Sequence, residues 1–178
     1  IPSLVLMERA ALESVRMMEE ENMNFSKVLV VCGSGNNGGD GYAIARLLHL
    51  KGHAVEIFFM GKETSRSEEN RVQKQIAEFY QIPVVTELND EYSLIIDALF
   101  GTGLTRPIEG KYYDLICQLN EMKGNKVAID IPSGVNDTGG NIMGTAFRAD
   151  LTVAIAYIKR GLLLFPGASF AGKIQIGD

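Results

Sequence analysis

The chain has 178 residues and a formal net charge of −5, with an isoelectric point near 5.1; that length suits a single domain, 1–178, with a core of its own. Hydrophobic residues make up 46% and charged residues 22%, a globular composition that argues against a disordered chain, and no apolar run reaches the length of a membrane span. No basic block exceeds Lys159-Arg160, and this acidic balance argues against nucleic-acid binding, because neutralising phosphates needs a basic face.

Residues 4–21 place Leu4, Met7, Ala11, Leu12, Val15 and Met18 on one stripe, with Glu8, Glu13 and the Glu19 to Glu21 run largely elsewhere. That spacing predicts an amphipathic helix suited to covering a sheet or forming an interface between copies of the chain. Lys27–Cys32 is a continuous β-branched run, as in a strand buried on both faces. A glycine-rich loop, Gly33–Gly41, follows, with a helix over Tyr42–Lys51 that Gly52 ends. Further on, strands are expected at Ala54–Met60, Pro83–Thr86, Leu94–Asp97, Lys126–Asp130 and Leu151–Ala156, and helices at Ser67–Tyr80 and Lys111–Met122. Lys173–Ile176 adds an edge strand, and the abrupt stop after Ile174–Asp178 is expected of the first domain of a longer protein. Alternating strands and helices imply right-handed crossovers and a mostly parallel α/β sheet.

Cys32 and Cys117 have no metal-ligand spacing around them and read as buried small hydrophobes, in keeping with a reducing, cytoplasmic setting. His49 and His53 flank Gly52 and mark a helix end. The run Leu162–Gly167 reads as packing.

In parallel sheets ligands bind beyond the carboxyl ends of the strands, so three strand ends matter. The first, Gly33-Ser-Gly-Asn-Asn-Gly-Gly-Asp-Gly41, contains Gly33-x-Gly35-x-x-Gly38, the spacing of a phosphate-cradling loop before a helix. No Lys-Ser/Thr pair ends it, so it is not a P-loop. The usual acidic ribose partner is also missing, since Glu56 sits inside the second strand. A plain turn with Asp40 as helix N-cap is the simpler alternative. Asn36, Asn37 and Asp40 nevertheless bring more polar chemistry than a pyrophosphate turn requires.

The second strand end is Asp97-Ala-Leu-Phe-Gly101-Thr-Gly-Leu-Thr-Arg106-Pro. Asp97 leaves the core as either a cap or a ligand contact, and Arg106 is either a phosphate-pairing arginine or a solvated one. The third is Asp130-Ile-Pro-Ser133-Gly134, where Asp130 is an acid/base candidate or the anchor of an Asx-turn. Asn37, Asp97 and Ser133 could together hold a hard cation, and their low total charge favours a monovalent ion. Lys159-Arg160 could reach a phosphate or lie on the surface.

Six segments resemble, in order, those of the NAD(P)H-hydrate epimerases, the YjeF N-terminal domain. They are Met7–Ala10, Gly35–Gly41, Asp97–Arg106, Asp130–Gly134, Ala149–Val153 and Gly161–Gly167. The resemblance implies a Rossmann-like three-layer α/β/α fold and interconversion of the R and S forms of hydrated NADH and NADPH, a small-molecule substrate. It implies substrate binding by Asn36, Asn37, Gly38, Gly39 and Asp40, by Gly101, Thr102, Gly103, Leu104, Thr105, Arg106 and Pro107, and by Asp130. It further implies one K⁺ per subunit on Asn37, Asp97 and Ser133; Asp130, the acid/base candidate at a strand end, is the expected catalytic group. Homo-oligomers and fusion to a hydrate dehydratase domain are also expected, although no dehydratase motif occurs here. Ala154–Ile158 departs from the family's Thr-Phe-Gly-like segment, which affects the loop near Lys159. Two other readings stand beside this one: a non-catalytic, RNA-binding scaffold of the same fold, and a conventional NAD-dependent dehydrogenase, for which the acidic ribose residue is missing.

Overall fold

The structure, a computed structural model, describes residues 1–89 and 91–177; Asp90 and Asp178 lie outside it. Its centre is set by strands β1 (Val28–Cys32) and β4 (Leu94–Ala98), every residue of which is buried. Side chains alternate between the two faces of a strand. Val28, Val30, Cys32, Leu94, Ile96 and Ala98 therefore join one apolar cluster, while Leu29, Val31 and Ile95 join the other. Such a strand needs a helical layer on each side. Helices α1 (Ser3–Glu20), α2 (Asn36–Leu50) and α3 (Glu68–Phe79) pack on the first face. Helix α4 (Gly110–Glu121) packs on the second through Leu115, Ile116 and Leu119. Each fully buried Val, Leu or Ile contributes about 1.5–3 kcal/mol relative to exposure.

The remaining strands are β2 (Val55–Phe59), β3 (Val84–Val85), β5 (Asn125–Ile129), β6 (Leu151–Ile155) and β7 (Lys173–Gly177), and a single-turn helix α5 (Ala168–Ala171) precedes the last. The sheet runs β3-β2-β1-β4-β5-β6-β7 and every pairing is parallel. The expected three-layer α/β architecture is present. From β1 the chain winds outward to β2 and β3, then returns to place β4 on the other side of β1. The reversal leaves a crevice at the carboxyl ends of β1 and β4, where open α/β sheets bind ligands. No described helix is long and apolar enough to cross a membrane.

Element ends agree with the sequence reading within a residue or two, with one exception. Helix α2 begins at Asn36, not at Tyr42. The glycines are there for packing, not for a turn: a Cβ on Gly38 would lie 1.9 Å from the Gly33 carbonyl oxygen, and one on Gly41 2.7 Å from the Ala98 Cβ. Tertiary contact overrides the poor helix propensity of glycine. Gly52 ends α2 as expected, with φ +90° and the His53 amide donating to the Leu48 carbonyl.

Three packing expectations fail. The buried side of α1 is Met7, Ala10, Ala11, Ser14, Val15, Met17 and Met18, whereas Leu4 and Leu12 are exposed. The small residues allow close approach to α2, and the buried Ser14 hydroxyl is satisfied by the Ala10 carbonyl. In the Leu162–Gly167 run only Leu162 is buried among the large apolar residues; Leu163, Leu164 and Phe165 are exposed. Cys32 is buried as expected, but Cys117 is only half-buried.

Candidate active site

A cavity of about 540 Å³ opens at the β1/β4 crevice, within the size range of small-molecule sites. Its walls come from all three strand ends singled out above. Ser34, Gly35, Asn36, Asn37 and Asp40 form one wall, Leu99 to Arg106 the second, and Asp130 with Ile155 closes the far side. Pro107 lines an adjoining cleft that shares Phe100, Leu104, Arg106 and Tyr112 with the first. Gly38 and Gly39 are buried and lie off the cavity wall, where their lack of side chains lets the first turn of α2 sit close to its neighbours.

The first wall is the amino end of α2. Among the described residues no side chain caps this helix, so its first-turn N–H groups remain available to an anion, and the helix dipole favours one there. Asp40 is not an N-cap; it is the fifth residue of the helix. Burial, reinforced by the Asp130 carboxylate, pushes its carboxyl up to about 8, so Asp40 is protonated at neutral pH and able to donate.

Behind this wall is a residue that the sequence reading missed. Asn70 of α3 is fully buried and its amide donates to the carbonyls of Gly33 (2.9 Å) and Gly35 (2.8 Å). Its own oxygen accepts from Arg66 Nη1 at 2.5 Å. Arg66 in turn is held by Glu63 and lies over the Phe59 ring, 3.7 Å from its centroid. A polar residue inside a helix carries no motif, so nothing in the sequence pointed to it. Glu56, set aside as a ribose ligand, is the second residue of β2 and accepts from the Tyr92 hydroxyl at 2.6 Å.

Asp97 is only 1% exposed. One of its oxygens accepts from the Leu99 amide (3.1 Å) and the Ser133 hydroxyl (2.7 Å), the other from the Ser133 amide (2.7 Å). Burial pushes its carboxyl up to about 6, against the lowering effect of those donors. The Ser133 hydroxyl also accepts from the Phe100 amide at 2.9 Å, tying the second strand end to the third. Asn37, 9% exposed, is different in that neither its amide oxygen nor its amide nitrogen has a hydrogen-bond partner among the described residues. An orphaned buried amide beside a cavity wants a ligand. Its unpartnered neutral oxygen is of the kind a weakly charged cation takes, whereas Asp97 and Ser133 bond to each other.

Asp130 follows β5 in the left-handed region, with φ +71°, and the Ile131 amide donates back to the Ile129 carbonyl at 2.9 Å. This is a tight, strained turn of the kind found at functional sites. Its side chain does not make the Asx-turn considered above. Oδ1 instead accepts from the Ile155 amide at 3.1 Å and from the Lys159 ammonium. Lys159 is neither a free phosphate ligand nor a surface residue: it is 6% exposed. Arg106 is exposed, lines both cavities and makes no ion pair among the described residues.

Comparison with known proteins agrees with this architecture. The family model described as YjeF-related protein N-terminus matches residues 3–161. The chain is 46% identical to an NAD(P)H-hydrate epimerase of Limosilactobacillus fermentum, across all of this chain and 86% of that protein. It is 45% identical to one of Oenococcus oeni with the same coverage, and 47% identical to one of Limosilactobacillus reuteri, of which it covers 85%. Among solved structures, yeast YNL200c superposes with a TM-score of 0.78 at 24% identity, covering 90% of this chain and 74% of that one, a likeness of fold.

Proposed function

The chain belongs to the YjeF-related protein N-terminal family, and from that membership we propose that it is an isomerase, an NAD(P)H-hydrate epimerase interconverting the R and S forms of hydrated NADH and NADPH. The observation that carries the reading is the pair of carboxyl groups, Asp40 and Asp130, on facing walls of one crevice, in a chain about 45% identical to proteins bearing that name.

Hydration puts a hydroxyl on the ring carbon next to the nicotinamide nitrogen. Inverting that carbon takes loss and return of the hydroxyl, or ring opening and closing, with no net redox change; we follow the first route. As the C–O bond breaks, the nitrogen lone pair forms a C=N bond, and the departing oxygen needs a proton to leave as water. Protonated Asp40 is placed to supply one. Water returning to the other face gives up a proton as the new C–O bond forms, and Asp130, whose Oδ2 has no hydrogen-bond donor among the described residues, accepts it. General acid and base groups of this kind contribute about 10²–10⁴-fold each.

Substrate phosphates would lie on the first-turn amides of α2, at Asn36 and Asn37, and on the Gly101–Arg106 wall, with Pro107 in the adjoining cleft; Gly38 and Gly39 permit the close backbone approach. A K⁺ ion would be held by Asn37, Asp97 and Ser133, where the unpartnered Asn37 amide supports it. Bound there, it would order the loops at the two strand ends and offset phosphate charge. A homo-oligomer is supported by the exposed apolar side of α1, where Leu4, Val5 and Leu12 lie beside Val72 and Ile76; light scattering that finds only monomer would remove this element. Two free cysteines support a reducing, cytoplasmic location. Fusion to a dehydratase domain is consistent with the family.

The decisive experiment mixes R and S hydrates of NADH with an S-specific dehydratase and follows the return of NADH absorbance. Alone, the dehydratase stalls once the S form is consumed. Added protein is expected to drive rapid recovery of the remainder; a stall that persists in K⁺ buffer sinks the reading.

A further inference from the structure

Lys159 uses every donor it has. A lysine ammonium carries three N–H groups and no lone pair. Its three bonds here go to Asp130 Oδ1, to the Ile155 carbonyl at 2.8 Å and to the Tyr157 carbonyl at 3.1 Å. The Tyr157 ring closes the shell, 4.4 Å from Nζ to its centroid. An ammonium bound in this way has no N–H left over for a substrate and no lone pair with which to take up a proton.

Its partners include or flank the strained parts of this wall. Asp130 and Ala156 both have positive φ, +71° and +65°. Each sits at the tip of a three-residue turn, closed by the Ile131 amide on the Ile129 carbonyl (2.9 Å) and by the Tyr157 amide on the Ile155 carbonyl (2.7 Å). β5 and β6 are neighbours in the sheet, so the two turns stand side by side. The Ile155 amide adds a second bond to the same Asp130 oxygen. Oδ1 is thus saturated by protein donors while Oδ2 accepts none among the described residues, although Asp130 lines the cavity.

We propose that Lys159 is a positioning residue for the reaction: a fixed cation that locks the turns after β5 and β6 together, occupies one oxygen of Asp130 and leaves the other as the single proton-accepting edge. Asp40 is the other ionisable group against Asp130, so removing the cation also leaves Asp130 facing only a second carboxyl. The inference rests on the epimerase reading for its kinetics, but not for its geometry.

A double-mutant cycle tests it. Lys159→Met is expected to lower kcat at least tenfold with KM changed less than threefold, both referred to protein whose folded fraction is known from thermal unfolding. Because Lys159 acts through Asp130, adding Lys159→Met to Asp130→Asn is expected to cost no further kcat. Asn tolerates the left-handed conformation, so the background keeps its fold. Multiplicative losses, or a loss confined to KM, overturn the proposal. If Lys159→Met does not fold, Lys159→Arg takes its place in the cycle with the same criterion. Independently of activity, the three bonds predict a slowly exchanging Lys159 ammonium signal in ¹⁵N NMR of the unmodified protein, lost or broadened in Asp130→Asn. A rapidly exchanging ammonium overturns the clamp even if the protein is active. An inactive wild-type protein with the slow signal present overturns the epimerase reading and leaves the clamp standing.

Discussion

Replacing Asn70 by Ala removes a buried amide that serves three partners. Gly35 keeps its bond from the Gly39 amide. The Gly33 carbonyl and Arg66 Nη1 lose the partner that Asn70 supplied, and the guanidinium, its side chain 2% exposed, has little water to turn to. Each orphaned buried group costs about 1–3 kcal/mol, so Asn70→Ala is expected to lose about 2–5 kcal/mol, a large share of the ~5–15 kcal/mol that holds a domain together. At about 2–4 °C per kcal/mol for a chain of this size, the thermal midpoint falls by roughly 4–20 °C. Guanidinium unfolding with an unchanged m-value measures the loss directly. Asn70→Asp separates the two causes, since it leaves no cavity but turns an oxygen toward two carbonyl oxygens; it is expected to be at least as damaging at neutral pH. The wall at Ser34–Asn37 hangs on the same carbonyls, so KM should rise with the loss of stability. A change below about 0.5 kcal/mol in Asn70→Ala, within the range of ordinary surface substitutions, would refute the idea that α3 holds the glycine loop.

Three more outcomes are expected. Asp130→Asn should lose at least ~100-fold in epimerase turnover while still folding, and full turnover would unseat Asp130 as the acid/base group. Asp40 carries a folded-state pKa of about 8 against an ordinary value of 3.8. The unfolded chain therefore gives up this proton first, and Asp40 makes the protein less stable as pH rises from about 4 to about 8, with the full penalty above that. Asp40→Asn should flatten this slope and be more stable than wild type near pH 8 in unfolding titrations; parallel slopes for the two proteins would show that Asp40 is not buried protonated. Thermal midpoints should rise more in KCl than in NaCl at equal ionic strength, and Asn37→Ala should abolish the difference; equal midpoints for the wild-type protein would remove the cation from the site.

Much of this was legible in the sequence because the strand ends carry their own punctuation. Unbroken β-branched runs ending in Gly33, Asp97 and Asp130 located the crevice, since only a strand buried on both faces reads that way. The start of α2 was misplaced because glycine is a loop signal locally, whereas Gly38 and Gly41 are helical to let backbone and side chains approach. The stripe on α1 was drawn through Leu4 and Leu12, yet the fold buries the smaller Ala10 and Ser14, because closeness to α2 outweighs side-chain size. Asn70 escaped notice, and Lys159 was read as a phosphate contact or a surface residue, for one reason: the partner that defines each, the Gly33 and Gly35 carbonyls for Asn70 and the Asp130 carboxylate for Lys159, is distant in sequence and leaves no periodicity or spacing to read.

The left-handed backbone at Asp130 also bears on how freely this position can vary. Among residues with a carboxylate, aspartate is the one that visits this conformation with some ease, while longer side chains meet a penalty of about 1–2 kcal/mol. A glutamate would keep the charge but have to overcome that penalty, and its extra methylene would push the carboxylate past the Ile155 amide and the Lys159 ammonium. Position 130 is therefore specified twice, by the backbone and by its ligands, and a randomised library at this codon should return Asp, Asn and Gly as folded proteins, with Asp alone retaining both fold and charge.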